Sequence, residues 1–265
     1  MRAWRVAALA LLFAGCTSAS THRSTSGGRP QTSASVTTGS VPPASSAAAA
    51  SGVRTVLSPV GLNIRAEPAK TAAVVRTAAQ GAVLTVVGAT AQAGGWYQVK
   101  GPTVTGWISN DPALSAPGQF HLYSSTQHQL SVLYPVGWTF AESTPASVVF
   151  RPPAGRDWIV GTTAPSVAGL GRGRAGYRRT NSEQVIVCGV TGTMSSYVQS
   201  GPPVASPPPA GVVSERYLLQ LRLPVDAQHA LGLDGNFADP SQLPTFRNFV
   251  NSLTFPSPQC RPAAA

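Results

Sequence analysis

The sequence predicts a disordered tether followed by two folded regions, a small all-β barrel and then a separate α+β sandwich. Three observations support this prediction. Residues 17–52 are almost entirely Ser, Thr, Ala, Gly and Pro, residues 53–118 contain short apolar runs broken by Gly and Pro, and residues 119–265 add a helical pattern near their end. We therefore divide the chain into residues 1–15, 16–52, 53–118 and 119–265.

The first 15 residues have the pattern of an export signal. Arg2 and Arg5 precede a short apolar run that is too brief to span a bilayer as a stable helix. Residues 12–16, LFAGC, resemble the lipobox of bacterial lipoproteins. The resemblance implies that residues 1–15 are removed and that Cys16 becomes the lipidated first residue. The alternative is a plain secretory signal with a chance cysteine.

Residues 17–52 lack the large apolar side chains that a core needs, so we expect them to form a disordered tether. As a flexible coil such a tether spans roughly 30–36 Å, and fully extended it reaches on the order of 120 Å. The lipid anchor and tether together predict an exported protein that is attached to the membrane at the cell surface or in the periplasm-equivalent space.

The charge of the chain is basic but evenly spread. The chain has 19 basic and 9 acidic side chains, a formal charge of +10. Each predicted folded region carries only about +3. This balance suits contact with anionic lipids or wall polymers, and it is too weak to indicate nucleic-acid binding.

The first folded region contains six short strand-like runs, at residues 54–57, 61–65, 73–77, 82–87, 96–100 and 105–108. Strands this short, without a helical period, predict a small all-β barrel. In the second run Leu62 and Ile64 alternate with Asn63 and Arg65. We expect the apolar pair to face inward and the polar pair to face outward.

Three motifs follow one another in this region: LNIRAEP at 62–68, GWYQV at 95–99 and GWI at 106–108. Their order and spacing resemble the bacterial SH3 domain over residues 53–115. Many members of that family bind cell-wall peptides or target wall enzymes. The resemblance implies a ligand groove, and we assign to it Asn63, Arg65, Glu67, Trp96 and Tyr97. We expect Tyr97 to be exposed and Trp107 to be buried.

Residues 111–119 have the composition of a linker, and the second folded region follows it. Strand-like runs lie at residues 130–134, 147–150, 158–161, 184–190 and 216–224. Apolar residues at i, i+3, i+4 and i+7 then predict a helix over residues 243–253, and residues 254–255 predict a closing strand.

Two phrases of the second region resemble a known family. YPVGW at 134–138 with the closing residues 246–255 is similar to the α/β/α sandwich typified by the PsbP subunit of photosystem II. That family occurs in bacterial lipoproteins as a non-catalytic ligand-binding or assembly scaffold, which is what the resemblance implies here.

The three cysteines of the chain are Cys16, Cys188 and Cys260. If Cys16 carries lipid, two cysteines remain in an oxidising compartment, where an even remainder favours pairing. We therefore predict a disulfide between Cys188 and Cys260 that pins the C-terminal tail to the sheet. The alternative is two free thiols.

Four arginines lie within eight residues, at Arg172, Arg174, Arg178 and Arg179. They form either a loop that contacts anions, such as lipid head groups or phosphate-bearing wall polymers, or a solvated loop. Residues 171–176 also read G-x-G-x-x-G, but a dinucleotide site needs an acidic residue about 20 positions later. Residues 193–199 contain none. We predict no cofactor.

The sequence shows no recognisable catalytic or metal-binding motif. Cys188 lies in a strand-like run without the helix start or orienting motif of a cysteine hydrolase. The histidines lack the spacing of metal ligands, and no G-x-S-x-G motif is present. We therefore expect neither enzymatic activity nor a metal.

The predicted function is non-enzymatic binding of cell-wall material, such as peptidoglycan, or of an envelope protein, through the SH3-like module of a cell-surface lipoprotein. The alternatives are an envelope hydrolase with an unrecognised active site and a structural scaffold that assembles membrane proteins. The predicted partners are the membrane, through the anchor, and the wall or an envelope protein, without nucleic acid.

Overall fold

The computed structural model describes residues 52–91, 94–171, 173–200 and 217–260. Within these ranges the chain forms two seven-stranded antiparallel sheets, a separate two-stranded hairpin and one α-helix. Both sheets belong to the same compact unit. The predicted export signal, Cys16 and nearly all of the predicted tether lie outside the described residues.

The first sheet contains the six predicted strands and one more: β1 (Gly52–Val56), β2 (Leu62–Arg65), β3 (Val74–Ala78), β4 (Val83–Thr90), β5 (Trp96–Lys100), β6 (Thr105–Ser109) and β7 (Ser115–Pro117). Their order is β3-β2-β6-β5-β4-β1-β7. Strand β7 lies in the segment whose composition predicted a linker, so that prediction was wrong for these residues. β7 pairs with β1, and its Ser115 and Ala116 are buried.

The first sheet encloses its own core. One side chain or more from each of β1 to β6 enters a single buried cluster: Val56, Leu62, Ile64, Ala78, Leu84, Val86, Val99 and Ile108. Because these side chains are at most 7% exposed, the sheet must curve around them. Asn63 is exposed and Arg65 half-buried, which confirms the predicted alternation along β2.

A glycine lets β6 approach β2 closely. A Cβ atom on Gly106 would lie 2.6 Å from the carbonyl oxygen of Arg65 and 2.7 Å from Ile64 Cγ2. Gly106 and Ile108 are both buried, so Trp107 between them faces the other side of the strand and is only half-buried. The prediction that Trp107 is buried and Tyr97 exposed was wrong: Trp96 is the buried tryptophan, and Tyr97 is half-buried.

The second region begins with the hairpin β8 (Phe120–Ser125) and β9 (Leu130–Pro135). The second sheet then contains β10 (Thr139–Thr144), β11 (Ser147–Arg151), β12 (Trp158–Ala164), β13 (Tyr177–Val187), β14 (Val190–Gln199), β15 (Tyr217–Pro224) and β16 (Ala230–Phe237). Their order is β10-β11-β12-β16-β15-β14-β13. The helix α1 (Leu243–Ser252) closes the region.

Helix α1 covers one face of the second sheet. Its Phe246, Phe249 and Val250 are buried in the same cluster as Leu221 and Leu233 of the sheet. Only one α-helix occurs in the described ranges, so the second helical layer of the expected α/β/α sandwich is not seen there. A short 3₁₀ turn, Val167–Leu170, approaches the opposite face.

The predicted strand over residues 184–190 is in fact the tip of a hairpin. Strands β13 and β14 meet at Cys188 and Gly189, whose φ angles are 48° and 74°. Positive φ at both central residues matches the twist of a tight hairpin, while the apolar composition on either side gave no sign of a break. The predicted closing strand is reduced to one bridge between Ser131 and Thr254.

The predicted disulfide between Cys188 and Cys260 is confirmed, with the two Cα atoms 4.7 Å apart. Cys260 ends a 3₁₀ turn, Pro258–Cys260, and its sulfur accepts the backbone N–H of Phe255 at 3.5 Å. The bond therefore ties the segment after α1 to the tip of the β13–β14 hairpin.

The two regions touch through a small contact. Leu57, Ala116 and Leu133 form a buried cluster shared between them. The Gln80 side chain donates to the carbonyl oxygens of Leu57 at 3.0 Å and Ser252 at 2.7 Å. This contact is modest beside the core of either region, and separate folding of the two regions stays a prediction.

Candidate functional site

A cleft of about 360 Å³ lies along one end of the first sheet. Its apolar part includes Leu62, Trp96 and Leu114. Its polar part is made of Ser58, Asn63, Arg65, Lys70, Ser109 and Asp111. The cleft therefore combines two cations and one carboxylate with an aromatic and aliphatic surface, which is the usual make-up of a ligand site.

The strands and the loops beside them bring these side chains together. β2 supplies Asn63 and Arg65, and the loop after it supplies Lys70. Trp96 of β5 lies opposite Ser109 of β6 in the sheet register. Gly61, which precedes β2, has a φ of 86°, and a Cβ there would lie 2.8 Å from the carbonyl oxygen of Ala78. A glycine is therefore needed where the chain turns into β2.

Of the five residues predicted for the groove, the structure brings Asn63, Arg65 and Trp96 together in this cleft. Glu67 is exposed in the loop after β2 and does not line it. Tyr97 does not line it either, because neighbouring residues of a strand point to opposite sides. Its ring instead packs against the first core and lies 4.5 Å from the Arg54 guanidinium carbon.

Hydrogen bonds fix some of the polar groups of the cleft and leave others available. Arg65 Nη1 donates to the carbonyl oxygen of Ala72 at 2.6 Å, and Asn63 Oδ1 accepts from Thr77 at 2.9 Å. Asp111 Oδ1 accepts the backbone N–H of Ala113 at 2.9 Å. The ammonium of Lys70 is exposed and makes no hydrogen bond or ion pair with any described residue.

The indole N–H of Trp96 is buried and has no hydrogen-bond partner among the described residues. The whole side chain is 3% exposed, so this residue acts mainly as the rigid apolar floor beside the cleft. Lys70 and Asp111 were missed by sequence reasoning because they lie in loops outside the strand motifs. The signal for Lys70 was its position two residues after the LNIRAEP motif.

Arg54 is a buried cation of the first region with a structural role. Its Nε donates to Ser115 Oγ at 3.0 Å and its Nη2 to the Ser115 carbonyl oxygen at 2.6 Å. Burial lowers the pKa of Arg54, while the neighbouring Tyr97 acts in the opposite direction. The guanidinium still stays charged at any physiological pH, and it ties β1 to β7.

The arginine loop is only partly brought together. Arg172 lies outside the described residues, and the guanidinium carbon of Arg174 lies 5.8 Å from the ring centre of Tyr177. Arg178 and Arg179 follow each other on β13 and are both exposed. Only Arg179 lines a cleft, which lies on the second sheet.

A buried histidine in the second region resembles part of a catalytic site but has a structural geometry. His128 Nδ1 lies 2.9 Å from Tyr123 Oη and 3.0 Å from Ser125 Oγ, and its Nε2 lies 3.2 Å from the carbonyl oxygen of Thr144. Because a carbonyl only accepts, Nε2 carries the proton and Nδ1 accepts. An imidazole that is 0% exposed with both nitrogens occupied cannot reach a substrate as a general base.

Burial also raises the pKa of Tyr123; a hydrogen bond with Ser125 opposes that rise, and Glu142 adds to it. Cys188 is held in the disulfide and offers no thiolate. Across the described ranges, no group of three or more His, Cys, Asp or Glu side chains is arranged to hold a metal ion. Within the same ranges, no helix has the length and apolar character needed to span a membrane.

Comparison with known proteins gives one family match and two distant likenesses. The solution structure of cyanobacterial PsbP (CyanoP) from Synechocystis is 17% identical over 51% of this chain and 92% of its own, with a TM-score of 0.38. A crystal structure from Bacteroides thetaiotaomicron is 10% identical over 52% of this chain and 48% of its own, with a TM-score of 0.28. No curated protein matches the chain. Residues 60–111, which include most of the cleft on the first sheet, match the bacterial SH3 domain family, so this part of the chain is a bacterial SH3 domain.

Proposed function

We propose that this protein is an exported, lipid-anchored component of the cell envelope that binds cell-wall material, or a protein held in the wall, through the cleft of its SH3 domain. We further propose that it does so without catalysing a reaction. The observation that supports this most directly is the cleft itself, which lies almost wholly within the residues that match the bacterial SH3 family.

The chemistry of the cleft suits wall peptides. Such peptides carry free carboxylates and amines on short side chains. Lys70 and Arg65 can donate to a carboxylate, and Asp111 can accept from an amine. The surface formed by Leu62, Trp96 and Leu114 can cover the aliphatic part of the ligand.

The proposed anchor makes weak binding sufficient. A single site of this size with a few charge-assisted contacts gives modest affinity. If Cys16 holds the chain at the membrane and residues 17–52 act as a flexible tether, the SH3 domain stays within reach of the wall. The resulting high effective concentration strengthens attachment without any new contact.

The disulfide supports the proposed location, because such bonds persist in compartments outside the reducing cytoplasm. The anchor has its own test. Replacing Cys16 with Ser should move the protein from the membrane fraction to the soluble fraction, and continued membrane retention of Cys16→Ser would contradict lipidation at this residue.

Binding can be tested with the full-length chain and purified, protein-free peptidoglycan. The proposal predicts co-sedimentation that is saturable and is competed by soluble wall peptides. Capture by intact walls that is lost when their proteins are digested would instead identify an envelope protein as the ligand. Release of labelled fragments from muropeptides by the purified chain would contradict a non-enzymatic function and favour the hydrolase alternative.

A further inference from the structure

A second cleft, of about 310 Å³, lies on the second sheet away from α1. The side chains that α1 covers are those of alternate residues, such as Met194, Leu219 and Leu221. The cleft is lined by the residues between them, including Ser195 and Gln220. The two faces of this sheet are therefore chemically opposite, one apolar and covered, the other polar.

The polar face is an ordered array of hydroxyl, amide and guanidinium groups. Strand pairing places Thr193 opposite Arg222 and Ser195 opposite Gln220. It also places Arg179 opposite Tyr197 on the next pair of strands. These six residues all line the cleft. Because they lie on hydrogen-bonded strands, their spacing is fixed by the sheet and not by a loop.

Gln220 carries the most informative unused group. Its side chain is 5% exposed, and its Oε1 accepts the backbone N–H of Gly173 at 2.9 Å. Neither hydrogen of its Nε2 is bonded to any residue that the structure describes. Amide groups this deep are normally paired, so this donor marks a position for an acceptor from outside the described chain.

The two arginines of the cleft differ in their charge balance. Arg222 is held by both oxygens of Asp234, at 2.5 and 3.2 Å, and by the carbonyl oxygen of Gly171 at 3.0 Å. Its charge is therefore compensated and its orientation fixed. Arg179 is exposed and has no hydrogen-bond or ion-pair partner among the described residues. The cleft thus presents one uncompensated positive charge beside an array of neutral polar groups.

We propose that this cleft binds an anionic carbohydrate, a hydroxyl-rich unit that bears a carboxylate or a phosphate. The acidic group pairs with Arg179, and sugar hydroxyls bond with Gln220 Nε2 and with the hydroxyls of Thr193 and Ser195. Tyr197 provides an aromatic surface at the edge. One free cation favours such a ligand over a membrane surface, which basic proteins bind with clusters of about four to eight Lys or Arg. This site is independent of the SH3 cleft.

The site can be tested by titrating the purified full-length chain with trigalacturonate, a phosphorylated maltotriose and neutral maltotriose in a calorimeter. Inorganic phosphate and phosphatidylglycerol vesicles serve as further ligands. We expect one or both acidic saccharides to bind at least about tenfold more tightly than maltotriose and inorganic phosphate, since a charged hydrogen bond contributes about that much. Failure of both acidic saccharides to bind, or binding of vesicles without either, would overturn the proposal.

Arg178 provides a matched control, since it is exposed, adjacent and equally charged but does not line the cleft. Arg179→Gln should weaken binding of the acidic saccharide at least about tenfold, and Arg178→Gln by less than about twofold. Equal losses would show a general charge effect and overturn the site. Thr193→Val should weaken binding about threefold or more without shifting the melting temperature; unchanged affinity would refute the carbohydrate assignment. Lys70→Gln, in the SH3 cleft, should change nothing here, so this proposal and the proposed function fail separately.

Discussion

Both folded regions are built on a seven-stranded antiparallel sheet, but the two sheets bury their apolar faces differently. The first sheet curves around a core made of its own side chains, such as Ile64, Val99 and Ile108. The second buries one face beneath α1, through Phe246 and Phe249, and leaves the other face polar. The same type of sheet therefore offers two kinds of binding surface.

The difference determines where a ligand can bind. A sheet that encloses its core has no free inner face, so its cleft is formed at its end by loops and strand ends, as at Lys70 and Asp111. An open sheet can use the face itself, as at Ser195 and Gln220. We expect changes in the first cleft to alter binding with little effect on folding, because Lys70 makes no contact that the first sheet needs.

The largest expected effect separates the two sheets through the disulfide. Replacing both Cys188 and Cys260 with Ser removes a bridge that spans 72 residues of the second region. The loop-entropy estimate for that span is roughly 4.4 kcal/mol of unfolding free energy. Denaturant unfolding followed by hydrogen exchange should show the loss in the second sheet, with β2 and β5 unchanged. An equal loss in the first sheet would contradict separate cores.

The contact between the two regions gives the next effect. Leu133 is 1% exposed in the shared cluster, and Leu133→Ala should lower the unfolding free energy by about 2–5 kcal/mol. Leu122 is its register partner in the β8–β9 hairpin but is 60% exposed. Leu122→Ala should therefore stay within about 0.5 kcal/mol of the unaltered protein. Similar losses for both variants in chemical denaturation would show that the shared cluster is not a distinct packed contact.

A smaller effect tests how tightly the first sheet curves. Gly106→Ala places a Cβ within 3 Å of Arg65 and Ile64, which should cost roughly 1–3 kcal/mol. Gly101 has its nearest neighbour at 3.5 Å, an ordinary contact, so Gly101→Ala should be close to neutral. Thermal unfolding of both variants would measure the difference. A neutral Gly106→Ala would mean that β6 and β2 are not held at the distance described here.

Sequence patterns predicted the first region well because its strands alternate regularly. Leu62 and Ile64 against Asn63 and Arg65 fixed the inward face of β2, and this alternation is a local property. Trp107 was misassigned because two neighbouring positions, Gly106 and Ile108, take the inward face. A glycine looks like a gap in a pattern, whereas here it is the residue that faces the core.

The second region was harder to predict because several of its strands lack an alternating pattern. β10 is an edge strand with all six residues exposed, so nothing in TFAEST indicates burial. β16 reads ALGLDGNF, in which Gly, Asp and Asn are typical of turns, yet it lies within the sheet between β12 and β15. Cys188 and Gly189 broke a continuous apolar run that gave no local signal of a turn.

The candidate site was predicted to the extent that it lies on strands. Asn63, Arg65 and Trp96 belong to strand motifs and were identified with their neighbours. Lys70 and Asp111 reach the cleft only because the loops after β2 and β6 end beside each other, and that proximity depends on the sheet order. The polar face of the second sheet was found only from strand pairing, since its residues come from three separate strands.

The most direct test of the central claim uses the two lysines of the chain, Lys70 and Lys100, which both lie in the SH3 domain. Lys70 lines the cleft and Lys100 does not, although both are exposed. In co-sedimentation of the full-length chain with purified peptidoglycan, Lys70→Gln should weaken binding at least about tenfold and Lys100→Gln less than about twofold. Unchanged binding of Lys70→Gln, or equal losses in the two variants, would contradict wall binding through this cleft.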